Sequence, residues 1–255
     1  VSGIFVTRGM SLRIPKGGLS IGIGSEGDVN SSVRCEVLLD MASYWYEIGL
    51  RHVTEASLAR QELLIAVENQ SDEAKGAALE KEFTAGMQAV VASATALDAL
   101  YASVSDRFDV PDSLLLQWRQ NRTARPAQVA EVFRQAFSVK NAGFTNLKLV
   151  IGKVYRFRDL AAHPPGKFSE PLLHPILNVG VEWRFVSFGF ESALNALHGS
   201  LGIAVQLADM PRSGNKAFEE YCAGLSLRLK PIAERWEAQF GELLGDTSAA
   251  GVEDV

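Results

Sequence analysis

The sequence predicts an all-α helical bundle with a small N-terminal β-hairpin appendage, and three observations lead there. From residue 31 to about 245, apolar residues recur at three- and four-residue spacing in long runs, the period of helices with one buried face. Residues 1–30 behave differently. There Ile4 and Val6, then Leu12 and Ile14, then Leu19, Ile21 and Ile23 alternate with polar or small neighbours, as half-buried strands do. After residue 30 no strand-like run alternates with a helix, so the body reads as one helical domain and not as a parallel α/β sheet.

Each element has its own signal. Gly17-Gly18 separates two alternating runs and suits a hairpin turn, predicting two or three short strands, since a lone hairpin is marginal in water. Ser31 and Ser32 are placed to cap a first helix whose apolar positions are Val33, Val37, Leu38, Met41, Trp45 and Ile48. It runs on through Leu58, Leu63, Leu64 and Val67 and stops at the polar run Asn69-Gln70-Ser71-Asp72. Leu79, Phe83, Met87, Val90, Val91, Ala94, Leu97 and Leu100 form the stripe of a second long helix, broken by Asp109-Val110-Pro111-Asp112. A shorter helix is expected over 113–120, and Pro126 at a first-turn position opens another that reaches Phe137. After a turn at 141–143, Leu147, Val150, Ile151, Val154, Tyr155, Arg158 and Ala162 share a helical face ended by Pro164-Pro165-Gly166. Two further helices are expected over 181–209 and 215–244. The expected organisation is a β-hairpin appendage over 1–30, a helical domain over 31–245 and a disordered acidic tail over 246–255.

Composition narrows the function classes. With 255 residues, 47% hydrophobic and 22% charged, the chain is globular and not disordered, collagen-like or disulfide-stapled. Its two cysteines, Cys35 and Cys222, lie in no CxxC and read as reduced thiols, which predicts a cytoplasmic protein. The N-terminus lacks the pattern of a signal peptide, and Val1 leaves the native start open. The apolar stretch 185–208 contains Glu191, Asn195, His198 and Gln206, so a buried core helix is expected there and no membrane association.

The formal net charge of −5 conceals an asymmetry. Between Arg119 and Lys167 ten basic residues stand against Glu131 and Asp159, a local balance of +8, leaving fifteen basic against twenty-eight acidic residues (−13) elsewhere. Such a bias suggests an anion-facing surface, unless the charges scatter around several helices.

Several motifs lead nowhere. Gly22-Ile23-Gly24-Ser25-Glu26-Gly27 matches GxGxxG, but no second parallel strand follows the next helix, so a glycine-rich connection is the better reading. His52, His163, His174 and His198 form no one-turn pair with another His or Cys, and neither HExxH nor GxSxG occurs. No metal and no cofactor are expected. His52 and His198 read as hydrogen-bonded packing residues, while His174 stands in a loop beside the basic segment with its role open.

The informative stretch runs from Lys153 to Pro165. It sets Arg158 and His163 five positions apart near a helix end, about 140° around the helix axis from each other while the helix stays regular. Unwinding of the last turn before the prolines can bring them together. Arg156 and Lys153 add positive potential. A guanidinium with bidentate geometry beside a group that titrates near neutrality suits a phosphate-like ligand.

Arg158-Asp159-Leu160-Ala161-Ala162-His163, at a helix end followed by Pro164, resembles the RxxxxH motif of HEPN domains, which are helical bundles. The resemblance is sharp over the motif helix and general over its neighbours. The chain is about twice the usual length of such domains, and the strand-like N-terminus departs from their pattern. The resemblance implies metal-independent RNA cleavage from a site shared across a homodimer, often in a toxin–antitoxin pair or in phage defence, with an antitoxin or other protein partner. It carries over to Arg158, Asp159 and His163 only.

The chemistry is consistent with that reading. Cleaving RNA requires taking the ribose 2′-OH proton, stabilising the phosphorane and protonating the leaving oxygen. His163 suits acid–base work, Arg158 suits the charged oxygens, and Asp159 suits positioning of either residue. Lys153, Arg156, Arg122 and Arg125 would attract the RNA backbone. Two alternatives stand beside it: a non-catalytic HEPN-like module binding a protein, nucleotide or RNA, and a helical scaffold in which Arg158, Asp159 and His163 only cap a helix C-terminus.

Overall fold

The computed structural model describes residues 4–23, 29–163, 166–212 and 214–244. It is an all-α helical bundle with a small N-terminal β appendage. Chain contacts divide it into Val1–Met41 and Ala42–Val255.

The first unit holds four strands: β1 (Met10–Arg13), β2 (Leu19–Ile23), β3 (Val29–Val33) and β4 (Glu36–Leu39). The pairing is nested. β2 pairs antiparallel with β3, from Leu19 opposite Val33 to Ile23 opposite Val29, and β1 pairs with β4, from Met10 opposite Leu39 to Arg13 opposite Glu36. Gly17-Gly18 therefore does not join paired strands, as the sequence suggested. It makes a bend within one arm of the hairpin, where Gly17 takes φ +76° and Gly18 N–H donates to Pro15 O at 2.8 Å. The expected boundary at residue 30 also moves. Val33, Val37 and Leu38 lie in strands, and the first helix starts at Ala42. Their three- and four-residue spacing mimics a helix, but Ser31-Ser32 pair with Ile21 and Ser20 before they can cap anything. Gly24 and Gly27 of the GxGxxG match and the tail 246–255 lie outside the described residues.

The second unit contains eight described helices: α1 (Ala42–Glu68), α2 (Asp72–Phe108), α3 (Asp112–Gln120), α4 (Arg125–Ala136), α5 (Asn141–Ala162), α6 (Trp183–Ser187), α7 (Phe190–Ala208) and α8 (Lys216–Phe240). A three-residue connection makes α1 and α2 an antiparallel pair, and Ser71 caps α2 by accepting from Ala74 N–H. α2 is the central element, touching α1, α4, α5 and α7. Its inner face is rich in small residues, including Ala85, Gly86, Ala89, Ala92 and Ala96, which lets neighbouring helices approach closely. By length and composition α2 could cross a membrane, yet over half of its most apolar window is buried in protein. Tyr46 of α1 donates its phenol to Ser200 O of α7 at 2.9 Å inside the core.

Three differences from the sequence reading concern the C-terminal half, the first being that the turn expected at 141–143 is already the first turn of α5. A two-residue strand pair, β5 (Leu172–Leu173) with β6 (Gly180–Val181), follows α5. The helix expected over 181–209 is broken at Phe188-Gly189 into α6 and α7. The cause is Glu82 of α2, almost fully buried at 1% exposure. Its Oε1 accepts the Phe190 N–H at 2.7 Å and so starts a new helix there. Oε1 also receives Arg60 Nε and Nη2 at 2.9 and 2.6 Å. The approach is tight at Gly189, where a Cβ would sit 3.0 Å from Glu82 Oε1, and requires glycine at residue 86, where a Cβ would sit 1.9 Å from Phe188 O.

Candidate functional site

The motif helix α5 buries Leu147, Ile151, Val154 and Tyr155 against the bundle, so Lys153, Arg156 and Asp159 face out. Arg158 follows Tyr155 by three positions, and its guanidinium carbon lies 4.9 Å from the Tyr155 ring centroid. Its Nε donates to Asp159 Oδ1 at 2.8 Å, and one terminal nitrogen lies 3.7 Å from Asp98 Oδ2 of α2. The Arg158 side chain is held on three sides and remains 29% exposed.

Asp98 is the centre of this cluster. Its Oδ1 accepts the Tyr155 phenol at 2.7 Å and Arg125 Nε at 2.8 Å. Arg125, in the first turn of α4, also lies over the Tyr101 ring at 3.9 Å from its centroid. One carboxylate thus ties α2, α4 and α5 together through two guanidinium groups and a phenol. Burial, then the hydrogen bond and charge of Asp98, push the Tyr155 phenol well above its usual range, so it stays a donor. Burial works against the Arg125 charge, but the hydrogen bond and charge of Asp98 outweigh it, and its affinity for the proton rises.

His163 terminates α5. Its backbone leaves the helix at φ −132° and ψ 58°, while its N–H still reaches Asp159 O at 2.8 Å. The side chain is exposed, and among the described residues no hydrogen bond joins it to Arg158. The last turn therefore opens without turning the imidazole onto the guanidinium, because Asp159 and Asp98 already engage Arg158. Pro164 and Pro165 lie outside the described residues.

The other candidate cations divide into two sets. Lys153, Arg156 and Arg122 are exposed, with Arg122 at φ +50° after α3. Arg125 is part of the Asp98 cluster and does not stand free in solvent. Arg134 likewise pairs with Glu131 at 2.6 Å, so part of the basic segment is internally neutralised. A groove of about 340 Å³ lined by Trp118, Thr123, Glu131, Phe144 and Lys148 includes neither Arg158 nor His163.

Sequence reasoning missed Asp98, Tyr155 and Tyr101 as partners of Arg158 and Arg125. A signal existed for Asp98: it is the single charged residue between Glu82 and Asp106, in a run that otherwise reads as core. The remaining histidines play local parts. His52 Nδ1 lies 2.6 Å from Glu55 Oε2. His198 is exposed and stacks on Trp236 at 5.5 Å, in place of the hydrogen bond expected. His174 is buried, and its Nδ1 accepts the N–H groups of Ile176 and Leu177 at 3.3 Å each, closing the turn between β5 and β6. Among the described residues no group of three or more His, Cys, Asp or Glu could hold a metal ion.

Fold and site together define a helical bundle with a small β appendage, carrying an Asp98-centred arginine–tyrosine cluster and an exposed helix-end histidine on the motif helix. Comparison with protein-family models, curated proteins and solved structures gave no match.

Proposed function

We propose that this chain is a HEPN-like endoribonuclease that acts without a metal ion and completes its site by pairing two copies. The observation that carries this is the bracing of Arg158 by Asp159, Asp98 and the Tyr155 ring, with His163 exposed at the same end of α5. A braced guanidinium that keeps part of its surface open loses little entropy on meeting a phosphate. His163 takes the 2′-OH proton, the 2′-oxygen attacks phosphorus, and the P–O5′ bond breaks to leave a 2′,3′-cyclic phosphate. A protonated imidazole supplies the proton to O5′, which calls for a second histidine, and an opposed copy of the motif provides one. Arg158 binds the non-bridging oxygens as charge builds on them. Lys153, Arg156 and Arg122 attract the RNA strand. Such an enzyme belongs with toxin–antitoxin or phage-defence systems, held in check by a protein partner in the cytoplasm.

The test is incubation of the purified chain with single-stranded RNA in excess EDTA, reading cleavage and end chemistry. Cleavage leaving cyclic phosphate ends and abolished by His163→Ala is the expected result. Cleavage that survives that substitution, or that appears only with Mg²⁺, overturns the reading. A second reading, a HEPN-like module that binds a protein, nucleotide or RNA without turnover, draws support from the occupancy of Arg158 by two carboxylates. It predicts a stable RNA or protein complex, weakened by Arg158→Ala, with no cleavage products.

A further inference from the structure

We propose that the apolar face of the β2–β3 hairpin is a dimer interface, packed against the same face of a second copy of this chain. The register separates the residues of this hairpin cleanly. Leu19, Ile21 and Ile23 lie on one face with Val33, Ser31 and Val29, and Ser20, Gly22, Ser32 and Asn30 lie on the other. On the polar face the Ser20 and Ser32 hydroxyls hydrogen-bond at 2.7 Å. Among the described residues the apolar face is open: Leu19 and Val33 are 56% exposed, Ile21 and Val29 68%, and Ile23 78%.

A two-stranded ribbon is marginal in water unless such a face is buried. The chemistry of the face selects its occupant. Between Gly17 and Val33 the only charges are Glu26 and Asp28, in the connection between the strands, so a nucleic acid or a charged peptide finds no partner on the face. The five side chains are aliphatic, and three of them, Ile21, Val29 and Ile23, are more than two-thirds exposed. Taking a fully exposed aliphatic residue at roughly 170 Å², they present about 550 Å² per chain, so complete burial in two copies removes about 1,100 Å², near the lower bound for a specific interface. An isologous contact needs only this one face, twice, with the ribbons stacked about 10 Å apart as in a sandwich.

Edge-to-edge pairing is less favoured. Beyond Leu19 the hydrogen-bonding edge is interrupted by the Pro15–Gly18 bend, and Pro15 has no N–H to offer. This inference shares only the pairing of two copies with the ribonuclease reading, because it places no motif residue at the contact.

Sedimentation of the full chain across the micromolar range tests it, with Ile21→Asp/Ile23→Asp as the face variant and Ser20→Asp as the control on the opposite face. The expected result is a dimer for the native chain and the control, with the dimer Kd of the face variant raised more than about a hundredfold. The milder Ile21→Ser should raise it by a smaller factor with unchanged circular dichroism, which separates loss of contact from loss of fold. A native chain that stays monomeric overturns the proposal, and so does a dimer indifferent to both face variants. A native chain that is monomeric but floats with phosphatidylcholine vesicles, and loses that on Ile21→Asp/Ile23→Asp, assigns the face to lipid instead.

Discussion

The phenol of Tyr155 donates to Asp98 Oδ1 at 2.7 Å, joining the motif helix α5 to the central helix α2. The bond fixes the segment from which Arg158 projects, and Arg125 approaches the same oxygen from α4. The placement of Arg158 is therefore a property of three helices.

Removing one partner from the cluster strands the others. Asp98→Asn should lower stability by about 1–3 kcal/mol, since it takes away the charge that two guanidinium groups share at a partly exposed site. Tyr155→Phe should cost about 1 kcal/mol, the usual net worth of one hydrogen bond. Urea unfolding of both variants and their double mutant should show less than additive losses, because the two residues share one bond.

The pH dependence has two windows. Burial, ahead of all other causes, raises the Tyr46 and Tyr155 phenols above their ordinary value near 10. For both, stability is present below pH 10 and is lost as pH rises beyond it, since only the unfolded chain ionises readily there. Absorbance titration should show the Tyr46 and Tyr155 phenols ionising only on unfolding. His174 moves the other way: burial lowers it from 6.5, with Glu82 opposing and Arg60 assisting. Its contribution is present above pH 6.5 and falls as the unfolded chain takes up the proton below that value. His174→Asn, whose carbonyl can accept the same turn N–H groups, should flatten the loss of melting temperature between neutral and mildly acidic pH.

Breaking the buried Arg60–Glu82 pair should be among the costliest single changes. Arg60 is 18% and Glu82 1% exposed at the side chain, so removing either leaves an uncompensated charge under α7. Arg60→Ala and Glu82→Ala should each lose about 3–5 kcal/mol by denaturant unfolding. Glu82→Ala also frees the Phe190 N–H, so hydrogen exchange should quicken at the start of α7.

Two glycines of one helix should respond with opposite signs. Gly86→Ala places a methyl 1.9 Å from Phe188 O, against backbone that must shift, and should cost more than about 1–3 kcal/mol. Gly76→Ala meets nothing within 4 Å and should stabilise α2 by about 0.5–1 kcal/mol through propensity alone. Thermal melts of the two variants, read against the native chain, check both signs.

Most of the helices could be read in advance because their signals are local. Apolar spacing, the polar run Asn69-Gln70-Ser71-Asp72, Pro126 in a first turn and the break at Pro111 act within a few residues of themselves. The same locality misplaced the start of α1, since Val33, Val37 and Leu38 satisfy a helical period while their backbone pairs with strands. It also ran one helix through Gly189, where a carboxylate from more than a hundred positions away captures the Phe190 N–H.

The amino-acid sequence by itself determined the fold class, the alternating N-terminal segment and the presence of Arg158, Asp159 and His163 at the end of one helix. Tertiary structure alone decided what those residues touch. It brought Asp98 from α2 and Arg125 from α4 onto Tyr155 and Arg158, and it left His163 in solvent. The physical reason is range: helical periodicity and capping are set by neighbours within a turn or two. A shared carboxylate depends on packing that joins residues 57 positions apart, for which no short-range pattern exists.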